Sequence, residues 1–100
     1  MRQRNTTRSG GSYDAAEILA VWNKGHIIPG QDPTLFRKDA CEAWMNWAAY
    51  GKTVDLGWEI DHIIPIAKAG SEKLENLQPL QWENNRRKSD HCPWSYYDAA

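Results

Sequence analysis

The sequence contains only two cysteines, Cys41 and Cys92, one phenylalanine, no long uninterrupted apolar run and no marked excess of either charge. Each shortage excludes something. With no apolar stretch near the roughly 20 residues that cross a bilayer, a membrane-spanning helix is ruled out, in keeping with a mean hydropathy of -0.75. The opening "MRQRNTTRSGGSYD" has no apolar segment behind its charges. It does not read as a secretory leader, so a cytoplasmic address is expected. Two cysteines far apart in sequence could make one disulfide or none, and in that compartment two free thiols are the expectation. A net charge of -1 and a pI near 6.3 argue against a generic nucleic-acid coat protein, which carries a basic excess over a whole face.

What is present suffices for one small domain: 100 residues, 41% of them hydrophobic, with six tryptophans. The cations are unevenly placed. Arg2, Arg4 and Arg8 lie in a polar N-terminal stretch, and Arg86, Arg87 and Lys88 form a triplet near the other end. Residues 1–12 cannot supply a packed core and are expected as a mobile basic arm, with residues 13–100 as a single domain.

Asp14, with Glu17 three residues on and apolar positions at Ile18, Leu19, Val21 and Trp22 before Gly25, predicts a helix. "HIIPGQDPTLF" is an irregular connection. In "RKDACEAWMNWAAYG", Trp44, Trp47 and Ala48 recur at helical spacing behind Asp39, which favours a helix, although Trp44 and the residues after it could also pair as a hairpin. "GKTVDLG" is a polar turn. "WEIDHII" alternates as a strand, with Glu59 and Asp61 on one face and Trp58 and Ile60 on the other. A loop with Gly70 and Ser71 follows, then the short proline-bearing strand "NLQPL". The segment "QWENNRRKSD" reads as a helix stopped by Pro93. The class is α+β.

Asp61 followed by His62 at a strand end has two readings. The carboxylate either orients a surface histidine, or it offers an oxygen to a hard cation beside an imidazole able to take a proton near neutral pH. Asn76 alone reads as a turn residue bonding its own backbone, and Asn85, one turn into the last helix, as an amide whose oxygen either faces solvent or reaches across to Asp61.

Taken together, "DHIIP", a loop, "NLQPL" and "NNRRKSD" resemble the HNH, or His-finger, endonuclease family, in which two antiparallel strands and a helix hold one divalent metal. The resemblance covers residues 58–90 and implies a ββα-metal motif there, packed against N-terminal helical segments. Upstream, Arg37 with Asp39 and Tyr50 with Gly51 are similar to small bacterial and phage members. By position, the resemblance makes His62 the general base and Asn76 its catalytic partner, tying the loop that orients the imidazole. Asp61 and Asn85 become the metal ligands, and Arg86, Arg87 and Lys88 the nucleic-acid contacts.

The implied activity is metal-dependent hydrolysis of DNA phosphodiesters, nicking one strand with weak sequence preference. The implied cofactor is one divalent ion, Mg²⁺ or Mn²⁺, with Zn²⁺ or another transition metal as alternatives. Partners are DNA, with no membrane and no small-molecule cofactor. The chain is expected as a monomer, with a homodimer as the alternative. Many relatives bracket the motif with two CxxC pairs, but Gln81 and Asn84 stand in the places of the second, so no structural zinc is expected. Burial of Trp44, Trp47, Trp58 and Trp82 would replace it. The rival functions are a non-catalytic nucleic-acid-binding module on the same fold and the nuclease domain of a toxin.

Overall fold

A computed structural model describes residues 4–91, with side chains as far as residue 88. Asp14 keeps an extended backbone and its carboxylate accepts the Glu17 N–H at 2.8 Å, which starts helix α1, Ala15–Trp22. Val21 and Trp22 go into the core from its last turn. Just beyond the helix, the Lys24 ammonium donates to the carbonyls of Leu74, at 2.7 Å, and Leu77. Burial depresses its pKa, against an opposing pull from Glu75.

Three short antiparallel strands come next, β1 (His26–Ile27), β2 (Phe36–Lys38) and β3 (Trp44–Asn46), in that order. The expected helix behind Asp39 does not form. Instead Asp39 Oδ1 accepts the N–H groups of Cys41 and Ala43, both at 2.9 Å, and Glu42 adopts a left-handed φ of 69°. An aspartate that satisfies its neighbours' amides in this way competes with helix formation and reverses the chain. Nor does Trp44 pair with the residues after it: Trp44–Asn46 pairs back onto Phe36–Lys38, with Met45 buried, Phe36 and Trp44 rings 6.0 Å apart, and a single 3₁₀ turn at Trp47–Ala49. The C-terminal segment thus packs against one helix and a small sheet, not against helical segments alone.

Asp39 also joins the two halves of the molecule: Oδ2 accepts from the Gln81 backbone and from Asn84 Nδ2, each at 3.0 Å. The second sheet pairs β4 (Trp58–His62) with β5 (Leu77–Gln81), antiparallel, from Trp58 opposite Gln81 to His62 opposite Leu77. Helix α2, Trp82–His91, follows without a linker. Trp58 and Ile60 enter the core, where Trp58 meets Trp22 at 5.1 Å and Tyr50 at 4.8 Å between ring centroids. Burying such rings is worth a few kcal/mol each at about 25 cal/mol per Å². Trp22 takes a place in the core that was expected of Trp44, which is 38% exposed. Trp82 is half-buried, its indole N–H on the Val54 carbonyl.

Gly70 closes the loop between β4 and β5. A Cβ there would lie 1.7 Å from the Ile64 carbonyl oxygen, so no other residue fits unshifted. Residues 4–12, expected as a mobile arm, carry specific hydrogen bonds. Asn5 Oδ1 accepts the Ile60 N–H at 2.7 Å, occupying an amide on the edge of β4 away from β5, and accepts the Tyr50 hydroxyl at 2.9 Å. Cys41 is disulfide-bonded, which corrects the expectation of two free thiols. That expectation rested on compartment, which says nothing about what a fold brings together. Arg2, Cys92 and Pro93 lie outside the described residues. No helix among the described residues is long and apolar enough to cross a membrane.

Candidate active site

The pleat of β4 sends successive side chains to opposite faces, so Glu59 and Asp61 share the face beneath α2 while His62 lies with Trp58 and Ile60. Asp61 Oδ2 accepts from Gln78 Nε2 and from the Lys88 ammonium, both at 2.9 Å. Burial raises the Asp61 carboxyl pKa, partly offset by the Lys88 charge, the Gln78 hydrogen bond and the nearby His62. Two positions back, Glu59 Oε1 accepts from Asn85 Nδ2 at 2.8 Å and Oε2 lies 3.9 Å from the Arg86 guanidinium. Asp61 and Asn85 are thus both in the layer between β4 and α2, one held by Lys88 and the other by Glu59.

On the opposite face, His62 is buried and its Nε2 lies 3.0 Å from Glu72 Oε1 and 3.4 Å from the Tyr13 hydroxyl. Tyr13 also donates to Glu72 Oε2 at 3.0 Å, and the Arg8 N–H donates to Glu72 Oε1 at 2.6 Å. Burial pushes the Glu72 carboxyl upward, but the hydrogen bonds from His62, Arg8 and Tyr13 and the His62 charge outweigh it, leaving its pKa below the ordinary value.

Asn76 is buried one residue before β5. Its Oδ1 accepts the Ile64 N–H at 2.8 Å, and its Nδ2 donates to the carbonyls of Ile64 at 3.1 Å and Ser71 at 2.7 Å. Both ends of the carboxamide are used to hold the chain just after His62.

The three cations of α2 diverge, because successive helical positions point about 100° apart. Arg86 is exposed and stacks 5.1 Å over the Trp82 ring, and Arg87 is exposed beside Asn84 Oδ1 at 3.2 Å. Lys88 turns inward: besides Asp61 it donates to the carbonyls of His62 and, at 3.0 Å, Ile63. The side chain of His91 is outside the described set, and exposed His26 lies 3.9 Å from Glu42.

Sequence reasoning missed Glu72, Tyr13 and Gln78. Gln78 could have been found by counting the strand register, which puts it opposite Asp61. Glu72 sits in an irregular loop and Tyr13 is 49 residues from His62, so no periodicity marks either.

The donors between β4 and α2 suit a hard divalent cation. Asp61 and Glu59 offer carboxylate oxygens and Asn85 a carboxamide oxygen, with no thiolate or imidazole among them. Lys88 shows that the place accepts positive charge, its ammonium sitting among Asp61 Oδ2 and two backbone carbonyls. Among the described residues no three His, Cys, Asp or Glu side chains form a metal cluster by themselves.

No curated protein and no solved structure matches the chain. The family model described as HNH endonuclease matches residues 53–94, a span that holds β4, the tied loop, β5 and α2 with Asp61, His62, Asn76 and Asn85 in order. Over that segment the chain is similar to the HNH endonuclease family.

Proposed function

We propose that the chain is a metal-dependent DNA endonuclease that hydrolyses phosphodiester bonds one strand at a time, with weak sequence preference, and that β4, β5 and α2 are its ββα-metal unit. The carrying observation is that the end of one hairpin holds a buried imidazole on one side and a buried layer of oxygen donors on the other. Hydrolysis of a phosphodiester requires a base to take a proton from water and positive charge near the phosphate oxygens.

His62 is the base in this reading. Asp61 and Asn85 hold a divalent ion, Mg²⁺ or Mn²⁺, with Glu59 fixing the Asn85 amide. When bound, the ion offsets charge on the scissile phosphate and on the leaving oxygen. Asn76 keeps the chain after His62 in place, and Arg86 and Arg87 meet the phosphate backbone, which explains affinity without base reading.

The test is incubation of supercoiled plasmid with the protein and a panel of divalent metals, with and without EDTA. Cleavage with Mg²⁺ or Mn²⁺ that EDTA abolishes and His62→Ala lowers about 10²- to 10⁴-fold is the expected result. Binding without cleavage under every metal would replace this reading with that of a non-catalytic nucleic-acid module.

A further inference from the structure

Neutral imidazole has one N–H and one lone pair, and only the lone pair can accept a proton. Which nitrogen carries the hydrogen is set by its partners. At His62 the Nε2 atom faces Glu72 Oε1 at 3.0 Å. A carboxylate is only an acceptor, so Nε2 must be the donor in this contact.

Three features keep Glu72 an acceptor. The Arg8 N–H donates to Oε1 at 2.6 Å, the Tyr13 hydroxyl donates to Oε2 at 3.0 Å, and Tyr13 is itself buried, 6% exposed. Burial pushes the carboxyl pKa up, but the hydrogen bonds from His62, Arg8 and Tyr13 and the His62 charge leave it below its ordinary value. A protonated Glu72 would have to give up one of these donors.

We propose that Glu72, braced by Tyr13 and the Arg8 amide, is a positioning residue for His62: it holds the ring hydrogen on Nε2 and so makes Nδ1 the nitrogen that receives the proton from the attacking water. The assignment rests on His62 being the general base, as proposed above. It gives the N-terminal stretch a function besides any contact with phosphate, because residues 8 and 13 lock a side chain 64 and 59 residues further along. In the step itself, a proton passes from water to Nδ1 as the oxygen attacks phosphorus and the bond from phosphorus to the leaving sugar oxygen breaks; that oxygen takes a proton from solvent, and the Glu72 carboxylate faces the imidazolium until it returns its proton to solvent. No oxidant or further reactant is required.

Two measurements test it. The first uses metal-free protein and long-range ¹H–¹⁵N spectra of the histidine rings, with the His62 signals assigned by their loss in His62→Ala. The Nε2–H tautomer is expected in the wild type, and a shift toward a mixed tautomer in Glu72→Ala. A wild-type ring protonated on Nδ1, or a tautomer balance unmoved by Glu72→Ala, overturns the proposal even if the enzyme is an active nuclease.

The second is plasmid nicking with Mn²⁺. Glu72→Ala should lower kcat about 10- to 100-fold, taking as the guide the cost of losing a hydrogen-bond partner behind a metal-bound histidine, with KM for DNA unchanged. In the His62→Ala background the same substitution should alter the residual rate by less than about twofold, because residues acting through one another are not additive. Equal losses in both backgrounds would make Glu72 a merely structural residue, and full activity of His62→Ala would remove both the base and its orienter. Glu72→Gln, of the same shape, serves if the truncated variant does not fold. It should give a smaller kcat loss that also vanishes without His62.

Discussion

Asn85 Nδ2 donates to Glu59 Oε1 at 2.8 Å, joining the first turn of α2 to the middle of β4. The bond fixes which end of the Asn85 carboxamide is nitrogen and leaves the oxygen as the end that the proposed cation would use. Asp61→Ala and Asn85→Ala should each weaken Mn²⁺ binding in calorimetry by removing a donor. Glu59→Ala should weaken it by about 10- to 100-fold through loss of the brace. His62→Ala should leave the same titration unchanged while lowering cleavage about 10²- to 10⁴-fold. Unaltered affinity in both Asp61→Ala and Asn85→Ala would place the metal elsewhere.

Asn76→Ala removes three hydrogen bonds from a buried carboxamide and leaves the Ile64 N–H and the Ser71 carbonyl without it. A stability loss of about 1–3 kcal/mol is expected in denaturant unfolding. Cleavage should fall as well, because the loop begins immediately after His62, whereas metal affinity should hold.

How far the sequence discloses this arrangement depends on the range of the interactions. Helix α1 was readable because Asp14 and Glu17 are neighbours in the chain, and β4 because Glu59 and Asp61 alternate with Trp58 and Ile60. The segment after Asp39 was not. Its tryptophan spacing suits a helix, and the opposing signal is a side chain that bonds two amides locally and two groups 42 and 45 residues away. The site divides in the same way: Asp61, His62, Asn76 and Asn85 stand in a recognisable order, while Glu72 and Tyr13 meet His62 only once the chain has folded.

The divergence of the α2 cations separates effects that a triple substitution would merge. Arg86→Ala with Arg87→Ala should weaken DNA binding for every sequence and flatten the plot of log K against log salt by about 0.9 for each phosphate that is no longer neutralised. Lys88→Ala should instead cost stability, about 3 kcal/mol, because it strips the countercharge from Asp61, whose side chain is only 13% exposed. Thermal unfolding together with a salt titration distinguishes the two.

Acid stability should report on Glu72. Its folded pKa lies below the ordinary value, so its contribution to stability is fully present above about pH 4.3, the unfolded value, and is lost as pH falls through the folded value. Glu72→Gln should therefore be less stable than the wild type at neutral pH and should lose less of its stability on acidification. Parallel curves for the two proteins, followed by circular dichroism from pH 7 to pH 2, would contradict the bonded carboxylate.

The product of cleavage follows from the number of sites. Among the described residues there is one Asp61–Asn85 layer and one His62, and in the proposed reading one base with one ion serves one phosphodiester at a time. The two strands of a duplex run in opposite directions, so cutting both requires either a second encounter in the reverse orientation or a two-fold symmetric dimer that presents two sites at once. A monomer should therefore convert supercoiled plasmid to open circle well before linear DNA accumulates, and the linear product should rise only after the open circle, as independent nicks fall close together on opposite strands. Protein freed of metal should produce neither. The measurement is a time course by agarose gel at low enzyme excess, repeated across a range of protein concentrations. Linear DNA forming alongside open circle, with a rate that climbs with the square of protein concentration, would establish a dimer with two facing sites in place of a monomeric nickase.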